Sequence, residues 1–169
     1  MRCLSLHPHP STPCPAVDSL TVSVSQAPGG ALVLRWELAG DLARLRIPAA
    51  ATPERADELW RHTCFEAFVD AAGSPGEPRE GHPYCEFNFA PSGRWAAYAF
   101  DDYRSGMRPL ELLEPPEIVR RLDGERLGIE TDLALSGLPV LEGGGPLRLA
   151  ISAVIEDAGG TLSYWALVH

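Results

Sequence analysis

The chain has 169 residues, a formal net charge of −9, and 45% hydrophobic against 22% charged content. That length suits one domain with a sizeable core, and the balance is that of a soluble globular protein. The acidic charge, with no clustered Lys/Arg run, argues against a nucleic-acid or anionic-membrane surface and leaves sugars and other neutral ligands open. No stretch approaches the ~20 apolar residues of a membrane-spanning helix. His and Pro break the first residues, MRCLSLHPHPSTPCP, before any signal-peptide apolar run can form, so a cytoplasmic location is expected. Four irregularly spaced cysteines do not make a disulfide framework, and free thiols are expected, with a Cys3–Cys14 bridge as the alternative in an oxidising compartment.

In chain order, residues 1–18 read as an irregular arm because Pro8, Pro10, Pro13 and Pro15 oppose regular structure. The rest, 19–169, reads as a single domain. Leu20, Val22 and Val24 alternate with polar residues, Ala27-Pro28-Gly29-Gly30 turns the chain, and Leu32, Leu34, Trp36 and Leu38 share a face of the next strand. The pair reads as an antiparallel hairpin. Arg44–Pro48 reads as a short strand and Ala49–Glu58 as a connection punctuated by proline.

Two strands follow, Thr63–Asp70 and Tyr84–Ala90, separated by the Gly/Pro/Glu loop Ala72–Pro83. In the first, Cys64, Glu66, Phe68 and Asp70 point one way and Phe65, Ala67 and Val69 the other. In the second, Tyr84, Glu86 and Asn88 oppose Cys85, Phe87 and Phe89. Each strand therefore carries one apolar and one mixed polar–aromatic face. Further strands are expected at Arg94–Phe100, Ile118–Leu122, Arg126–Leu135, Leu147–Glu156 and Leu162–Val168, with Asp123-Gly124 as a hairpin turn and Gly143-Gly144-Gly145-Pro146 as a break. About ten strands without a convincing helix define an all-β chain, packed most naturally as an antiparallel β-sandwich.

Three blocks carry a resemblance: Leu59–Phe68 (LWRHTCFEAF), Glu86–Tyr98 (EFNFAPSGRWAAY), and Ser152–Glu156 (SAVIE) with Ser163–Leu167 (SYWAL). In this order they resemble the bacterial DOMON-like domains related to family 9 carbohydrate-binding modules, in the MurB-associated subgroup. The resemblance covers nearly the whole chain. It implies an immunoglobulin-like or jelly-roll-type sandwich whose concave sheet face holds a ligand, sugar in carbohydrate-binding modules and haem in some DOMON relatives. Such domains continue past the equivalent of His169 into a Pro/Asp/His-containing segment; this chain stops there, which implies either a missing closing strand with an edge left unpaired or a truncated chain.

Sugar binding needs aromatic faces for C–H patches and polar side chains that grip hydroxyls. Candidates for the polar contacts are Glu66, Glu86, Asn88, Arg61 and Arg104, and for the aromatic surface Trp60, Tyr98 and Tyr103. The matching blocks place Trp60, Arg61, Glu66, Glu86, Asn88 and Tyr98 near the family's site. Trp36 reads as core, and Trp95 and Tyr98, three apart, cannot share a strand face. The expected activity is non-catalytic binding of a small, sugar-like ligand with no cofactor.

Four other readings stand beside it. A hydrolase would use Glu66 and Glu86 as its carboxylate pair, but no motif sets either apart. A metal site would draw on His62, Cys64, His82 and Cys85, at spacings that match no zinc ribbon or finger. Haem ligation by Met107 or a histidine follows only by family analogy. A polar–aromatic face would equally dock a protein partner.

Overall fold

The computed structural model describes residues 2–71, 82–141 and 146–169. Most of the Ala72–Pro83 loop and of the Gly143–Pro146 break lies outside them. The described residues are nearly all antiparallel β, and their only helical segments are three single 3-10 turns. None is long and apolar enough to cross a membrane.

The eleven strands are β1 (Arg2–Pro8), β2 (Val17–Gln26), β3 (Leu32–Gly40), β4 (Cys64–Ala71), β5 (Tyr84–Phe89), β6 (Trp95–Phe100), β7 (Arg108–Pro109), β8 (Ile118–Asp123), β9 (Arg126–Leu133), β10 (Leu147–Glu156) and β11 (Leu162–Ala166). They form one curled sheet in the order β7-β6-β5-β4-β10-β11-β1-β2-β3-β9-β8. Curling brings its two arms together. Trp36 of β3 has its ring centroid 5.7 Å from Phe65 of β4 and 5.8 Å from Phe89 of β5. The apolar sets read from alternation fill this core: Leu20 and Val22, Leu34 and Leu38, Ala67 and Val69, Phe87, Leu127 and Ile129, Ile151 and Ile155.

The expected hairpins form. β2 pairs with β3 and β8 with β9, the latter closed by Gly124 at φ +56°, a left-handed conformation that glycine adopts without strain. At the start of β2 the register shifts between Val17 and Ser19, a bulge opposite Gly40. A Cβ on Gly40 would lie 2.2 Å from the Ala16 carbonyl oxygen, so only glycine lets the chains pass there.

Two expectations are corrected. Residues 1–18 are not wholly irregular: β1 pairs with β2 from Arg2↔Val24 to Leu6↔Leu20 and joins β11 at His7↔Ala166 and Pro8↔Trp165. The prolines fall at and after the end of this strand, where a missing N–H costs nothing, while Leu6 is buried in the core. Arg44–Pro48 is not a strand. It follows a 3-10 turn at Leu42–Arg44 and makes one bridge, Leu45↔Asp157, flanked by Arg46 N–H to Glu156 O at 2.8 Å and Ala158 N–H to Arg44 O at 2.8 Å.

Candidate functional site

On β6, β5, β4 and β10 the face turned away from the main core collects the mixed residues. Register makes them neighbours: Ser152 pairs with Glu66, Glu66 with Asn88, Asn88 with Ala96, Phe68 with Glu86, and Glu86 with Tyr98. Alternation on each strand selects the side chains, and pairing lines them up across the sheet.

They form one hydrogen-bonded strip. The Ser152 hydroxyl donates to Glu66 Oε2, and Asn88 Nδ2 donates to Glu86 Oε1 at 2.9 Å. The Cys64 thiol makes a weak contact to Asn88 Oδ1 at 3.8 Å. Glu66 is 8% exposed and Asn88 fully buried, while Glu86 is half-buried. Burial pushes the Glu66 carboxyl from 4.5 up to about 7, with the Ser152 hydrogen bond opposing the rise and the nearby Glu86 adding to it. Burial also raises Glu86, against the hydrogen bond from Asn88 and the charge of Arg104. The Cys64 thiol is held well above its ordinary value by burial and by Glu66.

Toward the β5–β6 end opposite the Ala90–Arg94 turn lies an aromatic shelf. Tyr84 stacks on Phe100 with centroids 4.5 Å apart and planes 4° from parallel, and Phe68 tilts against Tyr84 at 6.3 Å. Arg104, at φ +54°, donates its backbone N–H to the Tyr84 hydroxyl at 3.3 Å, and its guanidinium lies 5.2 Å from the centroid of Tyr103, which is 64% exposed.

The remaining candidates pack on or beside this face. Tyr98 is 2% exposed, covered by Trp60 edge-on at 5.6 Å, and its hydroxyl donates to Asp57 Oδ1 at 2.7 Å. Arg55 closes the same corner, donating to the Ala97 carbonyl at 2.7 Å and the Leu110 carbonyl at 2.9 Å, with its guanidinium 5.8 Å from the Tyr98 ring. Tyr98 and Trp60 thus pack as a small satellite core with Ala96, Phe100, Leu59 and Tyr84, so that the aromatic shelf is continuous with it. Arg61 pairs with Glu58 at 2.8 Å in an exposed contact of little energetic weight. The structure therefore brings Glu66, Glu86, Asn88 and Tyr98 onto one sheet face, sets Arg104 and Tyr103 at their edge, and holds Trp60 and Arg61 in the segment packed over the sheet beside them.

Among the described residues no three His, Cys, Asp or Glu side chains cluster so as to hold a metal ion. Cys64 and Cys85 face opposite sides of the sheet, Cys85 entering the core, and His62 Nδ1 meets Glu156 Oε2 at 2.7 Å. All four cysteines are free. Two cavities lie off the strip, one of about 280 Å³ between residues 48–63 and the Ala90–Arg94 turn and one of about 470 Å³ by Gly29, Gly30 and Ala134–Leu138.

Residues 46–62 are pinned across the sheet by Thr63, which is 1% exposed. Its hydroxyl donates to the Arg46 carbonyl at 2.7 Å and accepts the Glu156 N–H at 3.0 Å. Thr63→Val keeps the shape and strands both partners, so it is expected to destabilise the fold by about 1–3 kcal/mol in urea unfolding. A loss within error of zero would show that the segment is held without it.

Sequence reasoning did not nominate Ser152, Phe68, Tyr84 or Phe100. Alternation places the last three on the same faces as the chosen residues, so that signal was present. Ser152 comes to Glu66 through non-local pairing, and Arg55 and Asp57 sit in a segment without periodicity, where no local signal exists.

The fold and this strip define a class: an antiparallel β protein with one polar–aromatic sheet face buried at one end and open at the other. In comparison with known proteins, no family model matches the chain and no curated relative matches it.

Proposed function

We propose that this chain is a non-catalytic binding module that takes a small saccharide on the face formed by β6, β5, β4 and β10. The observation that carries the reading is the alignment of Glu66, Glu86 and Asn88 in one strip beside Tyr84 and Phe68. Carboxylates and an amide grip hydroxyls in pairs, and ring faces cover the sugar's C–H patches. The three sequence blocks behind the family resemblance contribute all or part of β4, β5, β6, β10 and β11, five consecutive strands of the sheet, which supports reading the fold as a DOMON-like β-sandwich related to family 9 carbohydrate-binding modules. In this reading the module works in the cytoplasm, performs no hydrolysis and needs no metal or haem.

A thermal-shift screen against neutral mono- and disaccharides, muropeptide fragments and haemin tests it, because a ligand of the folded state raises Tm by mass action. The expected result is a dose-dependent rise with a saccharide, lost when Glu86→Ala and Asn88→Ala are combined in a variant that still unfolds cooperatively. A rise with haemin alone would replace this reading with haem binding. Silence across the panel would replace it with protein docking.

A further inference from the structure

The other acidic side chains of β4 and β10 have arginine partners. Asp70 takes Arg148 through three hydrogen bonds of 2.7–3.0 Å. Glu156 takes Arg46 on Oε1 at 2.8 Å and His62 on Oε2. Glu66 and Glu86 differ. Their side-chain partners are neutral, the Ser152 hydroxyl and the Asn88 amide, and Glu66 Oε1 and Glu86 Oε2 accept no hydrogen bond among the described residues. The chain holds no lysine, all 14 of its basic residues being arginine. Arg104 is near enough to act on Glu86 but makes no ion pair with it, its guanidinium lying over Tyr103. Two carboxyl groups on adjacent strands, Glu66 opposite Asn88 and Glu86 opposite Phe68, one of them nine-tenths buried, thus have no ion-pair partner among the described residues, where the neighbouring acids do.

We propose that the ligand of this face supplies that cation as a protonated amine, held by Glu66 and Glu86 and lying against the Tyr84 and Phe68 rings; among saccharides, this selects an amino sugar. The inference rests on the saccharide reading above and narrows it. An ammonium group donates up to three hydrogen bonds and no lone pair, which matches acceptors with unused oxygens, and aromatic faces attract it further. A neutral hydroxyl in the same place leaves the two carboxyls without compensating charge, so at least one stays protonated. With the cation present both ionise, and the charge-assisted hydrogen bonds form.

Titration calorimetry near neutral pH with D-glucosamine, D-glucose and N-acetyl-D-glucosamine distinguishes the cases. The free amine is expected to bind about tenfold or more tightly than either neutral sugar, the equivalent of one charge-assisted hydrogen bond. Glu66→Gln with Glu86→Gln keeps shape and hydrogen-bonding capacity and should erase that preference. Glu86→Gln alone serves if the double variant does not unfold cooperatively. Equal or tighter binding of the neutral sugars overturns the cation and leaves the saccharide reading standing. An amine preference that survives the glutamine variants overturns the site. No binding by any of the three overturns both.

Discussion

Trp36→Ala should cost about 3–5 kcal/mol, the range for emptying a large aromatic site in a packed core. Trp36 is fully buried and sits between Phe65 and Phe89, so it is where the two arms of the curled sheet meet. Its indole N–H has no hydrogen-bond partner among the described residues. The loss is therefore one of packing, with nothing stranded by the deletion. Trp36→Phe separates the two contributions. It keeps a ring against both phenylalanines and removes the orphaned donor, so its cost should be roughly half that of alanine or less. Urea unfolding followed by circular dichroism measures both. An alanine variant that loses only about 1 kcal/mol would mean that the arms are not held at this point.

Glu66→Gln should make the protein more stable at pH 8 and leave its stability at pH 4 unchanged. The unfolded chain gives up this proton near 4.5, whereas the folded protein keeps it up to about 7. Between those values the native state binds more protons, so stability falls as pH rises through the window and the penalty is complete above it. The width of the window corresponds to a penalty on the order of 3 kcal/mol. Glutamine stays neutral and can still accept the Ser152 hydroxyl. The difference between the variant and the parent should therefore grow from near zero at the acid end to that value at the alkaline end. Parallel stability–pH curves would refute a Glu66 carboxyl held neutral by burial.

The same group connects stability with binding. A cation that stabilises ionised Glu66 would restore at pH 8 much of what burial costs there, so the parent would gain more from such a ligand than the glutamine variant. The buried Glu66 carboxyl is thus a place where the fold gives up stability as pH rises.

Alternation at period two was legible in the sequence, and it determined the all-β class, most of the strands, the hairpins around Gly29-Gly30 and Asp123-Gly124, and which side chains of β4 and β5 share a face. Those are local properties: the pleat sends neighbours to opposite sides whatever the strand pairs with. The same local logic fails at β1, because proline density does not govern the residues that precede it, and at Arg44–Pro48, whose extended pattern has no partner strand. Only the tertiary structure decided that β10 lies beside β4, which sets Ser152 on Glu66 and Arg148 on Asp70. It also decided that residues 46–62 fold over the sheet, so that Trp60 and Tyr98 join a satellite core, and that Glu66 is buried. A sequence states which groups a strand offers. Which of them end up buried, paired or left short of a counter-charge depends on contacts between residues far apart in the chain, and no local period encodes those.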